Sequence, residues 1–270
     1  MYSGTTFRTK SGRMMGVHQK IDRIAHRNII PLAENRTTFP NKQQILHFEG
    51  LNGPDGIKRK SPGKDEPWHY IDPNNPEDRQ LTVMITDHIH NMAAALKAND
   101  MIKAGFEAAW MAHAIVDGLT PAHHYPLEAK LEELREQGLE TRNSTKEKIL
   151  LPGKNRRIQL RNNWEYWGAK GVMTTHFGFE LGVASTISTH RFEGSTVSRE
   201  QCNYIEEHGF AKYFEASLQR VADMGMYDEF SKLGWTRHLA RETKNDLIPE
   251  IAQSVTLGWY QAIINAEELR

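Results

Sequence analysis

The stretch Met111–Tyr125, MAHAIVDGLTPAHHY, constrains this chain more than any other. His113 and Asp117 stand four residues apart in an alanine-rich run, so on a helix they share one face and can point at one centre. Pro121 then breaks the helix and turns the chain, bringing His123 back towards that centre with His124 beside it. This pattern suits a metal ion, and a satisfied polar cluster or a helix cap would use the same residue types. The rest of the chain decides between them.

Charge and cysteine content narrow the classes. The 34 basic residues balance the 34 acidic ones, so no global field draws the chain to nucleic acid or to an anionic membrane, and only local patches remain. Cys202 is the sole cysteine, which excludes an internal disulfide and a cysteine-based zinc site and fits a reducing compartment. Any metal must be held by nitrogen and oxygen, and thirteen histidines supply the nitrogen. The amino-terminal MYSGTTFRTKSGRMMG has basic residues but no apolar core, and no segment approaches the ~18 apolar residues of a membrane span. The expectation is a soluble chain, cytoplasmic as it stands or secreted if a leader has been removed.

Along the chain, Val17 to Ile30 has helical apolar spacing with Pro31 just beyond its end. His18 opens this helix, with Asp22 and His26 on a neighbouring line that reads equally well as an exposed polar face. From Phe39 to Pro76, turn after turn appears in FPNK, GLNGPDG, SPGKDEP and DPNNP. So long a loop region builds a site or is disordered, and the aromatic and histidine content of HFEG and PWHYIDP argues for a site. Asp55 in its tight turn and His69 between Trp68 and Tyr70 are its candidates, whereas Asp72 before Pro73 reads as a turn residue.

Leu81–Ala98 and Ile102–Val116 form two helices with alanine-rich faces for close packing, and His88 and His90 sit on the first as polar-face residues or outer partners of a site. A charged helix spans Leu127–Gly138, and a basic run follows from Lys146 to Arg161. Residues from about 127 to 165 therefore read as an inserted or lid segment. After Trp164, Tyr166 and Trp167, a further helix presents His176 and Glu180 four residues apart, and helical periodicity continues from about Glu200 to the end. With no internal repeat and no glycine-rich phosphate loop, the chain reads as an all-α, single-domain multi-helix bundle with long loops around a clustered metal site.

Together His18, Asp55, His69, His113, Asp117, His123, His176 and Glu180 offer five imidazoles and three carboxylates. That donor set suits zinc, and Asp117 could bridge two ions. The order of motifs is specific: an isolated histidine, an aspartate, a WHYID segment, then HxxxD, PxH and HxxxE. In that order they resemble the zinc-dependent phospholipase C family and its relatives, the zinc-dependent single-strand nucleases, over nearly the whole chain. The resemblance implies Asp55, His69, His113 and Asp117 around one zinc, and His123, His176 and Glu180 around a second. It implies His18 and bridging Asp117 at a third.

In that family the third ion also takes the amino group and carbonyl of an N-terminal tryptophan exposed by processing. This chain has no tryptophan before Trp68, so the expected number of ions is two or three. The resemblance further implies a phosphodiesterase that cleaves a phospholipid headgroup with a metal-activated hydroxide, Asp55 acting on the attacking water. Its substrate would be a phospholipid at a membrane surface, with no obligate protein partner. The alternatives are a single-strand nuclease or 3'-nucleotidase, whose basic run would follow phosphates while Trp164 or Trp167 stacks a base, and a non-catalytic zinc-stabilised helical domain. Gly56 and Glu66 stand where choline-preferring members have aromatic residues, and the interval from His123 to His176 is longer than theirs.

Overall fold

The protein is described here from a computed structural model, which covers residues 1, 16–34, 36–60, 69–125 and 127–269. Glu66, Trp68 and the basic residues that follow Met1 lie outside the described residues. Among the described residues the chain is all-α, with no strand.

The helices in chain order are α1 (Val17–Ala33), α2 (Lys42–His47), α3 (Pro54–Lys60), α4 (Gln80–Lys97), α5 (Met101–Gly118), α6 (Leu127–Arg135) and α7 (Arg156–Trp167). They continue as α8 (Val172–Ile187), α9 (Arg199–His208), α10 (Phe210–Asp223), α11 (Met226–Leu233), α12 (Arg237–Glu242) and α13 (Ile248–Glu268). A π-helical turn, Thr243–Leu247, joins α12 to α13, and a 3-10 turn over Pro121–His124 follows α5.

The frame is built on the α4–α5 hairpin. Asn99 takes the left-handed conformation that reverses the chain (φ 54°), as asparagine does more readily than most residues. Asp100 then caps α5 by accepting from the Lys103 amide at 3.0 Å. Buried alanines at 93, 95, 104, 108 and 112 let the two helices approach closely. α13 packs across α1, α4 and α5, and its Trp259 is fully buried with the indole donating to the Ala108 carbonyl at 2.9 Å. That bond satisfies the one polar atom of the largest core side chain.

Two sequence expectations change. α1 runs through Pro31 to Ala33, because Ile29 and Ala33 are buried and the Glu34 amide still reaches the Ile30 carbonyl at 3.1 Å. Packing of this last turn outweighs the single backbone bond that proline removes. The turn-rich region from Phe39 contains α2 and α3. Asn41 and Gln44 form a reciprocal capping box at the start of α2, with bonds of 3.0 and 2.7 Å. Pro54 and Asp55 open α3, where a missing amide and a negative charge are both favourable. Within the basic run, Arg156–Trp167 is helical, with Asn155 accepting from the Ile158 amide.

Residues 127–170 form an excursion with a small core of their own, in which Leu131, Leu134, Leu151 and Tyr166 are buried. Asn162 and Asn163 tie α7 to the rest of it. Asn162 donates to the Leu134 carbonyl at 2.6 Å, and Asn163 pairs with both backbone groups of Leu151 at 2.9 Å.

Candidate metal centre

The centre lies where the ends of α1, α5 and α8 meet the Pro121–His124 turn. His18 comes from the first turn of α1, His113 and Asp117 from the last turns of α5, and His176 and Glu180 from one face of α8. Pro121 opens the turn that directs His123 inward. His69 sits in an extended segment held against that turn: the Ile71 amide donates to the His123 carbonyl at 3.2 Å, and His123 Nδ1 donates to the His69 carbonyl at 2.7 Å. Asp55 enters from α3.

All eight sequence-predicted residues converge. Three groups of them each bring ligand atoms within 4.8 Å of one another and could hold a metal ion: Asp55, His69 and His113; His18, His113 and Asp117; and His123, His176 and Glu180. His113 is common to the first two groups, which are linked also through Asp117. Asp117 Oδ2 lies 2.5 Å from His69 Nδ1 and 3.3 Å from His113 Nε2, while its Oδ1 lies 3.4 Å from His18 Nε2. Glu180 Oε1 lies 3.2 Å from His123 Nε2 and 3.1 Å from His176 Nε2. The rings stack in pairs, His18 on His113 at 4.1 Å and His123 on His176 at 5.0 Å. Asp55 alone among the eight is substantially open, its side chain 26 % exposed and its Oδ1 3.8 Å from His113 Nε2.

The charges are matched by burial and by one another. Burial resists ionisation of Asp117, but the Met1 amine, His123 and His113 outweigh it and hold the carboxyl well below the usual range. Glu180 is likewise held well below its usual value, by the Met1 amine and His176 against the cost of burial. Asp55 is lowered by His113 and His69 despite its burial. Burial pushes His69 down to about 3 with help from Lys58, and pushes His123 down to about 4, so both imidazoles are neutral and available as donors. His113 goes the other way: burial disfavours its charge, but Asp117 and Glu49 raise it well above normal.

Compared with known proteins, the chain matches no family model, no curated protein and no solved structure. The centre is therefore read from its own chemistry. His69 Nε2 and His113 Nε2 are buried without a hydrogen-bond partner in the protein. An orphaned buried nitrogen is costly, and a cation among these carboxylates would satisfy both. The donor set, all imidazole nitrogen and carboxylate oxygen, fits a divalent metal.

The structure adds groups beyond those eight residues. The Met1 amine donates to Asp117 Oδ1 at 2.7 Å and lies 3.4 Å from Glu180 Oε1, and the Met1 carbonyl accepts from His18 Nε2 at 2.9 Å. Nothing in the residue type of Met1 could have revealed this. Glu49 is buried with Oε1 3.6 Å from His113 Nδ1, behind the ligand face. Asp22 is buried nearby, and burial together with Glu49 raises its carboxyl well above the usual value. Tyr70 covers the other side, its ring 5.2 Å from His123 and 6.3 Å from His176.

Other histidines fall outside the groups. His88 pairs with Glu107 at 2.7 Å, His90 is exposed, and His26 lies 3.2 Å from the Pro40 carbonyl. His124 donates to the Gly118 carbonyl at 2.8 Å, so it braces the turn. Asp72 accepts from the Asn74 amide at 2.9 Å, as a turn residue does. At Gly56, a Cβ would collide with the Leu51 carbonyl, so no aromatic side chain fits there.

Proposed function

We propose that this centre holds zinc and that the chain is a phosphodiesterase acting on phospholipid headgroups, in the manner of the zinc-dependent phospholipase C family its motifs resemble. The observation that carries this reading is that three donor groups gather around the ends of α1, α5 and α8, with Asp55 left open at one side. Zinc is favoured because the donors are imidazole and carboxylate, with Cys202 away from the site. Asp55, His69, His113 and Asp117 would hold one ion, and His123, His176 and Glu180 a second. A third would take His18, Asp117 and the amine and carbonyl of Met1. Bound there, zinc would supply Lewis acidity to the phosphate oxygens and lower the pKa of a water.

The chain's own residues do the remainder. Asp55 stays anionic and reachable, so its carboxylate orients the attacking water and accepts its proton. Tyr70 and the Lys58 ammonium, 5.2 Å above its ring, line the rim where a phosphate arrives. The buried walls exclude bulk water, which strengthens each charge interaction inside.

A second reading, a single-strand nuclease, draws on the exposed Trp164 and the basic residues of α7. Elemental analysis of the purified chain, followed by turnover of phosphatidyl lipids and of single-stranded DNA, separates the readings. Zinc with lipid turnover is the expected result. Zinc with DNA turnover selects the nuclease, and zinc with neither makes the metal structural.

A further inference from the structure

The excursion at residues 127–170 has its small core on one side and unused apolar side chains on the other. Leu160 and Trp164, one turn apart on α7, are each 73 % exposed. Ile149 is 67 % exposed and Leu150 58 %. These two are fastened along the same side of the helix, because Asn163 pairs with Leu151 and the Trp167 indole donates to the Ile149 carbonyl at 2.6 Å. Residues 160, 163, 164 and 167 share one helical face, so the exposed side chains form a ridge and are not scattered singly.

Charge sets the partner. Residues 144–170 contain seven lysines and arginines against two glutamates, a local +5 in a chain whose net charge is zero. Lys154, Arg156, Arg157 and Arg161 flank the ridge and are exposed. The pairs Lys154–Glu136 and Arg161–Glu165 lie at the surface, where such contacts are weak and leave the cations open to a stronger field. A nucleic acid would use the cations and the tryptophan but gains nothing from Leu160, Ile149 and Leu150. A bilayer uses all of them: aliphatic chains enter hydrocarbon, tryptophan settles at the interface and basic residues meet anionic headgroups.

The excursion is also joined to the rim of the metal centre. Lys148 Nζ donates to the Lys58 carbonyl on α3, the helix of Asp55, and the Lys58 ammonium caps Tyr70 beside His123. We infer that this ridge is an interfacial docking surface for bilayers bearing anionic phospholipid. The inference rests on the phospholipid-hydrolase reading of the centre, since docking brings the substrate headgroups to its rim.

The test uses the full chain with vesicles of phosphatidylcholine alone and with about a third phosphatidylglycerol. Sedimentation should capture the protein on the anionic vesicles and shift tryptophan emission to the blue. Leu160→Asp and Trp164→Asp should each lower this partitioning at least about tenfold. Arg156→Glu with Arg157→Glu should remove the preference for anionic vesicles. Leu160→Asp should keep wild-type turnover of a soluble short-chain phosphatidyl substrate, and all variants the wild-type circular dichroism. Unchanged partitioning in the Leu160 and Trp164 variants overturns the inference. So does Trp164-dependent binding of single-stranded DNA with no capture on vesicles. Failure of soluble-substrate turnover in the parent chain removes the hydrolase reading alone, whereas turnover without vesicle capture removes the docking surface alone.

Discussion

The Met1 α-amine and the Asp117 carboxylate form a buried ion pair at 2.7 Å, and it joins Met1 to the carboxylate that lies between His69, His113 and His18. Burial works against the charge on the amine, but Asp117 and Glu180 prevail and raise it from 8.0 to about 10. In the metal-free protein its stabilising effect is therefore full below pH 8 and is lost as pH rises through about 10. Two pH units correspond to roughly 2–3 kcal/mol. Urea unfolding of metal-free protein between neutral and strongly alkaline pH should show this loss. A chain extended by Gly-Ser ahead of Met1 should lack that component, and an unchanged profile in the extended chain would assign it to other groups.

Asp117 offers one oxygen to His69 and His113 and the other to His18 and Met1. On the proposed assignment, removing it takes a donor from two ions, whereas removing His18 takes one from a single ion. Asp117→Ala should therefore retain fewer metal equivalents than His18→Ala by elemental analysis, and equal retention would show that the carboxylate is not shared.

Much of this centre was legible because helix geometry repeats every turn. His113 with Asp117 and His176 with Glu180 are visible as i, i+4 pairs, and Pro121 announces the turn that re-aims His123. α2 was hidden because six residues between turn signals carry little periodicity, although its Asn41–Gln44 capping box is present in the sequence. α7 was hidden because charged and aromatic residues surround it on most sides, so no single stripe marks a buried face. Met1 and Glu49 reach the centre through tertiary packing, and neither has a partner at helical spacing that would single it out.

Glu49 stands behind His113, with Oε1 3.6 Å from Nδ1, so its charge acts on the ring from the side opposite Nε2. Glu49→Gln preserves shape and removes the charge. Outer partners of this kind typically contribute 10–100-fold to metal affinity, and about that loss is expected in a chelator competition. Wild-type affinity in Glu49→Gln would leave the carboxylate with a packing role only.

Gly182 lies on α8 two residues beyond Glu180, where a Cβ would run into the Trp235 indole. That ring is held by Phe179 at 5.7 Å, Phe230 at 6.0 Å and a 3.1 Å bond from Nε1 to Thr186, so it has little room to yield. Gly182→Ala should cost about 1–3 kcal/mol in urea unfolding. It should also weaken metal retention at His123, His176 and Glu180, since the strain displaces the helix that carries two of them. Unchanged stability would mean that the indole moves freely.

Asp55 differs from its partners in the degree to which it is open. Its side chain is 26 % exposed, whereas those of His69, His113 and Asp117 are each 3 % or less. His113 and His69 keep it ionised against the cost of burial, so from weakly acidic pH upwards it is a carboxylate able to take a proton from water. Asn has nearly the same shape, and three donors of the group remain. Asp55→Asn should thus keep most of its metal while turnover of a soluble phosphodiester falls by about 10²–10⁴, the usual weight of a positioned general base. Full activity would sink the role in proton transfer. Parallel loss of metal and activity would make Asp55 principally a ligand, whose contribution to rate comes through the ion it holds.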